Sequence, residues 1–364
     1  MFLKEIYTNK IDSLLSVKKK YLMIDLFIAM WALTEAALGG VLHAFQIPFT
    51  GLFVNSGAVI FMVLIASATE KKGTILRATL IVMIVKGMVS PHTPITAYIA
   101  VGFQGIMGEL LLRSKKYLLL SSIGLGVITL LQSALQKIVI LTIVYGNSLW
   151  ESIDVFVNFI LDQMPFLSIH SDPVNFSFWL IMTYVGIHLL AGVVVGIIAA
   201  KIPAWIEREI KNEKTNYQLE EIEYNFELQT NRKKRSWFKK PSIYAVIIFA
   251  GTIVILSYLF PEISETQGVK ALIMIVRSTC ILALWYTLIG PYLLKVAQKY
   301  LGSKKNKYAE EVQRTINILV PLRYIVYRSW NENKKFTGFE RIKKFIMMSL
   351  LTILATKFYV DEDN

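Results

Sequence analysis

Residues 175–200 read NFSFWLIMTYVGIHLLAGVVVGIIAA. These 26 residues contain no Asp, Glu, Lys or Arg. A helix needs about 20 apolar residues to cross the hydrocarbon core of a bilayer, so the stretch reads as one membrane span. Its flanks set a direction. Residues 146–174 before it carry Glu151, Asp154, Asp162 and Asp172 and no Lys or Arg, whereas residues 201–241 after it carry ten. The basic flank of a span faces the cytoplasm, so this one runs from outside to inside.

Eight further apolar blocks lie at 21–40, 51–69, 76–91, 95–112, 118–145, 242–260, 270–294 and 341–359. With the N-terminus inside, the inside segments are 1–20, 70–77, 113–117, 201–241 and 295–344. They hold 34 of the 39 Lys and Arg residues. Asp361-Glu362-Asp363-Asn364 then falls outside. The basic first 20 residues precede no fitting cleavage site, so the first block reads as a retained helix. The expected fold is all-α: a polytopic bundle of nine spans, N-terminus inside and C-terminus outside, in the cell inner membrane. Residues 1–200 would form a six-span domain, 201–241 a charged cytoplasmic linker, and 242–364 a three-span domain with cytoplasmic amphipathic helices.

Composition agrees, with 54% hydrophobic and 18% charged residues and a mean hydropathy of +0.50. The net charge of +13 sits in clusters between apolar blocks, which fits cytoplasmic loops and not a nucleic-acid face. The single cysteine, Cys280, leaves no disulfide within the chain and no cysteine metal cage. The phosphate loop G-x-x-x-x-G-K-[ST], H-E-x-x-H, G-x-S-x-G and C-x-x-C are all absent. No enzymatic activity, cofactor or metal is expected. Transport or binding is the default for many spans with polar groups inside them.

Four ionisable residues fall within spans: Glu35, Lys86, Glu109 and Lys137. Each costs several kcal/mol if left unpaired in hydrocarbon, so each should pair or face a polar cavity. Glu35, Lys86 and Lys137 lie in the outer half. One acid against two bases leaves a positive chamber that an anionic ligand group would balance. The alternative is a structural Glu35–Lys86 pair with Lys137 snorkelling to the surface. Gln104 lies at mid-depth. The uncharged hairpin Leu42-His43-Ala44-Phe45-Gln46-Ile47-Pro48-Phe49-Thr50-Gly51 breaks the helix at Pro48 and Gly51 and could fold back as a lid, presenting His43 and Gln46. His92 sits in the corner Ser90-Pro91-His92-Thr93-Pro94, as a ligand group or a solvated turn residue. Ala32, Ala36 and Gly40 share one helix face, where small residues let another helix approach, within the bundle or from a partner. Arg277 near the outer end of its span reads as a snorkelling residue. Residues 308–320 and 322–330, separated by Pro321, read as amphipathic helices that lie on the membrane or dock a cytosolic partner.

Residues 21–200 resemble the substrate-binding S component of energy-coupling factor (ECF) transporters. The resemblance rests on six spans with the N-terminus inside, on Ala32-x-x-x-Ala36, on the run from Gly39 to Gly51, and on the run from Ser90 to Gly105. It implies that the small-residue stripe faces a separate transmembrane T component. It also implies a vitamin or related micronutrient bound near the outer side under the His43–Pro48 loop, and two cytosolic ATPase subunits driving import. The C-terminal region weakly resembles part of a T component. There the nearest match to the family's Ala-Arg-Gly or Ala-Arg-Ser coupling motif is Tyr327-Arg328-Ser329, which departs at Tyr327. The expected binding residues are Glu35, His43, Gln46, Lys86, His92, Gln104 and Lys137. Ala32, Ala36, Gly40 and Arg328 are the expected partner contacts, with membrane lipid around the bundle and no nucleic acid. The rival readings are a membrane scaffold or assembly factor and a solitary secondary carrier.

Overall fold

The computed structural model describes residues 23–38, 49–90, 93–113, 115–163, 174–212, Thr252 and 267–355. Every regular element among them is a helix. Helix α1 runs from residue 23 and ends in a π-helical turn, Thr34–Leu38. Then follow α2 (Thr50–Ala68), α3 (Thr74–Val89), α4 (Ile95–Leu111), α5 (Leu118–Tyr145), α6 (Ser148–Asp162) and α7 (Phe176–Asn212). After the gap come α8 (Gln267–Leu284), a π turn at Trp285–Ile289, α9 (Gly290–Lys307), α10 (Ala309–Glu332) and α11 (Gly338–Ala355). Four stretches are long and apolar enough to cross a membrane: Thr50–Ala68, Leu118–Tyr145, Phe176–Arg208 and Leu272–Lys307. Helices also occupy the described parts of the apolar blocks at 21–40, 76–91, 95–112 and 341–359. Of the block at 242–260, only Thr252 is described.

Three boundaries differ from the sequence reading. Gly51 lies inside α2, not at a break. Helix α7 continues through Pro203 to Asn212, beyond the span itself. Residues 309–332 form one helix through Pro321, not two helices. A proline removes one hydrogen bond and bends a helix but need not end it. Here Ile318, Leu319, Leu322 and Ile325 are buried on both sides of Pro321, and that shared apolar face carries the helix across.

The residues group into two compact units. One comprises Met1–Leu130, Leu190–Glu227 and Gln298–Asn364. In it α3 packs along α4, α2 lies against both, and the π turn of α1 fits between α2 and α3. Phe27, Trp31, Met62, Ile65, Ile81 and Val101 fill this core. Helix α10 docks on α3, and α11 folds back onto α10, with Trp330 edge-on to Phe345 at 5.2 Å and Arg341 over the Trp330 ring at 4.1 Å. Two ion pairs tie α10 down: Arg314 to Asp25 on α1 (3.5 Å) and Arg77 on α3 to Glu311 (2.6 Å). Both are partly exposed and contribute ~0–1 kcal/mol each, so the buried apolar face does most of the holding. The other unit comprises Leu131–Leu189 and Leu228–Ala297, in which α8 packs on α6.

Within the first unit, α5 and α7 touch through their backbones. A methyl group at Gly192 would sit 2.7 Å from the Val127 Cα and 2.8 Å from the Gly126 oxygen; one at Gly196 would sit 2.6 Å from the Ser122 oxygen. Glycines four apart let two apolar helices approach this closely. Gly186, on the same helix, has nothing within 4 Å of its methyl position. Gly192→Ala is therefore expected to destabilise the protein by ~1–3 kcal/mol, as overpacking does. Gly186→Ala should be neutral or slightly stabilising, and thermal unfolding in mild detergent compares the two.

Candidate functional site

Among the charged residues that the sequence places within spans, the structure joins one pair. Lys86 Nζ donates to Glu35 Oε2 at 2.6 Å, with side chains 8% and 3% exposed. The local sequence positions Glu35. Thr34-Glu35-Ala36-Ala37-Leu38 forms a π turn, a widening of the helix that is frequent at functional sites. The Thr34 hydroxyl donates to the Met30 carbonyl at 2.9 Å, and its methyl lies against Gly57 of α2. Lys86 arrives on the last turn of α3, one residue before Gly87, where the Tyr98 hydroxyl of α4 packs.

A second polar group crosses α4, α2 and α5. Gln104 Nε2 donates to Asn55 Oδ1 at 2.9 Å, and Asn55 Nδ2 points to the Thr129 carbonyl at 3.4 Å. The Thr129 hydroxyl is occupied by the Leu125 carbonyl at 2.7 Å. All three residues are buried.

Polar atoms of this core without a hydrogen-bond partner among the described residues include Glu35 Oε1, Gln104 Oε1 and Trp31 Nε1. Trp31 and Glu35 are four residues apart and so share a side of α1. Buried polar atoms are nearly always satisfied, and each one left over costs ~1–3 kcal/mol. Two acceptors and one indole donor are thus buried here without a partner among the described residues. The ion pair is neutral as a whole.

The other expected site residues fall as follows. Lys137 is exposed on α5. The structure pairs Glu35 with Lys86, so the positive chamber of one acid and two bases reduces to a neutral pair with Lys137 on the surface. His43, Gln46, Gly40 and His92 lie outside the described residues. Ala32 and Ala36 are buried inside the chain's own bundle, so their small side chains serve internal packing. Glu109 caps α3: its two oxygens accept from the amides of Gly73 (2.6 Å), Ile75 (3.1 Å) and Leu76 (3.4 Å), where a carboxylate meets the positive end of the helix. Arg328 is exposed on α10 and ion-paired to Glu332 at 2.7 Å. Trp31, Asn55 and Thr129 were not anticipated. An Asn inside an otherwise apolar helix was the available signal.

A cavity of about 380 Å³ lies elsewhere, at the Lys-rich ends of α2 to α4, lined by Lys71, Lys72, Glu109 and Arg113 among others. Its rim at Thr74 is ~18 Å along α3 from Lys86, so it does not open onto the ion pair. Comparison with known proteins gives no match: no family model, curated protein or solved structure is similar to the chain.

Removing one partner of a buried pair strands the other charge. Lys86→Met should destabilise the fold by ~3–5 kcal/mol. The double variant Glu35→Gln/Lys86→Met should recover most of that loss. Unfolding midpoints of the single and double variants in one detergent test this.

Proposed function

We propose that this chain is the ligand-binding membrane subunit of an importer of the ECF type. It would sit in the cell inner membrane as a nine-span bundle, with its N-terminus and basic segments inside and its C-terminus outside. It would take up a vitamin or related micronutrient and pass it inward with partner ATPases. The observation that carries the reading is the polar core: Glu35 Oε1, Gln104 Oε1 and Trp31 Nε1 are buried without hydrogen-bond partners among the described residues. Polar groups kept inside an apolar bundle mark ligand paths by default. Because Glu35 and Lys86 cancel, the ligand that fits best is uncharged where it meets them and offers both donors and acceptors. His43, Gln46 and His92 would complete the site. Phe49, which closes the His43 loop, has a left-handed backbone (φ 62°) unusual for a bulky residue, as expected of a junction under constraint.

Helix α10 would be the coupling element. Its buried side is braced on α1 and α3, and its other side exposes Arg323, Tyr324, Tyr327 and Arg328. A scaffold or assembly factor is the second reading, favoured by the closure of the Glu35–Lys86 pair, which a purely structural bundle would also use.

Two measurements on the tagged protein from its native cells separate these readings. Under the importer reading, mild-detergent purification recovers phosphate-loop ATPases and a small molecule extractable from the pure protein. Asn55→Leu/Gln104→Leu should then lose that molecule by ~10-fold or more, the scale of one or two hydrogen bonds, while still purifying intact. ATPases without a ligand, or a ligand indifferent to this double change, would remove the chamber. Neither ATPases nor ligand would leave the scaffold.

A further inference from the structure

Helix α6, Ser148–Asp162, lies in what the sequence presents only as an acidic outside segment. It has two unlike sides. One side is bound to the chain. Asp154 accepts from the Ser177 amide (2.6 Å) and hydroxyl (2.8 Å), capping the start of α7. Asn158 pairs with Val174 in both directions, accepting from its amide at 2.9 Å and donating to its carbonyl at 3.0 Å. Trp150 Nε1 donates to the Thr142 hydroxyl of α5 at 3.1 Å. Arg277 of α8 is buried and donates to the Tyr145 carbonyl and to the Ser148 hydroxyl (3.0 Å), so it does not snorkel outward. Its guanidinium fills the space beside Gly146, which turns the chain with φ +73°.

The other side of α6 is bare. Val155, Phe156, Phe159 and Ile160 form one stripe, with Phe156 63% and Phe159 60% exposed. Such a stripe is too apolar to face water without a covering.

We infer that α6 is an interfacial membrane helix whose Val155–Phe156–Phe159–Ile160 face is buried in lipid acyl chains. Two observations choose lipid as the occupant. First, the polar contacts fix α6 to the end of α5 and the start of α7, and both helices are long and apolar enough to cross a membrane. That holds α6 at the depth where a bilayer begins. Second, large apolar residues are exposed on both neighbouring helices of the same unit, among them Val139, Ile140 and Ile143 on α5 and Phe178, Trp179 and Leu180 on α7. Interfacial helices ordinarily bind anionic headgroups through Lys and Arg on the polar side. Helix α6 has neither residue, and its Asp154 and Asn158 are bound to the chain instead. Its membrane contact is therefore with hydrocarbon, independent of headgroup charge.

The inference rests on α5 crossing the membrane, and the test carries its own control. In a Cys280→Ser background of the full chain, single cysteines replace Phe156, Phe159, Glu151 and Val139, and each is labelled with a small fluorophore in phosphatidylcholine vesicles. Brominated lipid should quench the labels at 156 and 159 several-fold more than aqueous iodide does, with the reverse at 151. The pattern should be unchanged when phosphatidylglycerol is added. Quenching of 156 and 159 by iodide would overturn the inference, with α6 then lying in water. Quenching by neither agent would also overturn it, in favour of a covering protein surface. The Val139 label separates the two claims: lipid quenching there with iodide quenching at 156 sinks only the placement of α6, whereas iodide quenching at 139 sinks the crossing of α5 itself.

Discussion

A carboxylate and an ammonium 2.6 Å apart inside an apolar bundle constrain everything around them. Neither Glu35 nor Lys86 can leave the other without facing an environment that cannot solvate it. The pair fixes the register of α1 against α3, because the two charges must meet at one depth. The π turn of α1 falls at the same point. The turn brings Glu35 to Lys86 while Thr34 takes over the Met30 carbonyl and rests on Gly57. The remaining contacts of the first unit are consistent with that register. Glu109 closes the opposite end of α3 by collecting three of its amide groups. The pairs Asp25–Arg314 and Arg77–Glu311 then seat α10 across the same ends.

The apolar periods and charge clusters made the helices legible, because length and absence of charge are one-dimensional properties. The shared depth of Glu35 and Lys86 was legible too, but it left a closed pair and a positive chamber with Lys137 as equal readings. The orientation of a face is less accessible. Spacing put Ala32 and Ala36 together, yet only packing reveals that the face turns inward. Lys137 has the same composition-level signature as Lys86 and ends on the surface, because composition does not say which way a helix is rotated. Asn55 and Trp31 escaped notice for a different reason. Neither carries charge, and their importance comes from what fails to surround them.

Helix α6 and the passage of α10 through Pro321 show where local rules give way to tertiary ones. Proline disfavours a helix interior by a few kcal/mol, but buried Ile316, Ile318 and Leu319 before it and Leu322 and Ile325 after it outweigh it. Helix α6 is short and would be marginal alone. It persists because Asp154 and Asn158 take up the groups at the start of α7 and Arg277 covers the end of α5.

The glycine contact between α5 and α7 has a mechanical consequence. Where side chains separate two helices, rotamer changes can absorb a small sliding motion. Here main chain meets main chain, so nothing lies between the helices to yield. The two helices are already as near as backbones can come, so any tightening of this unit falls to its side-chain-filled seams.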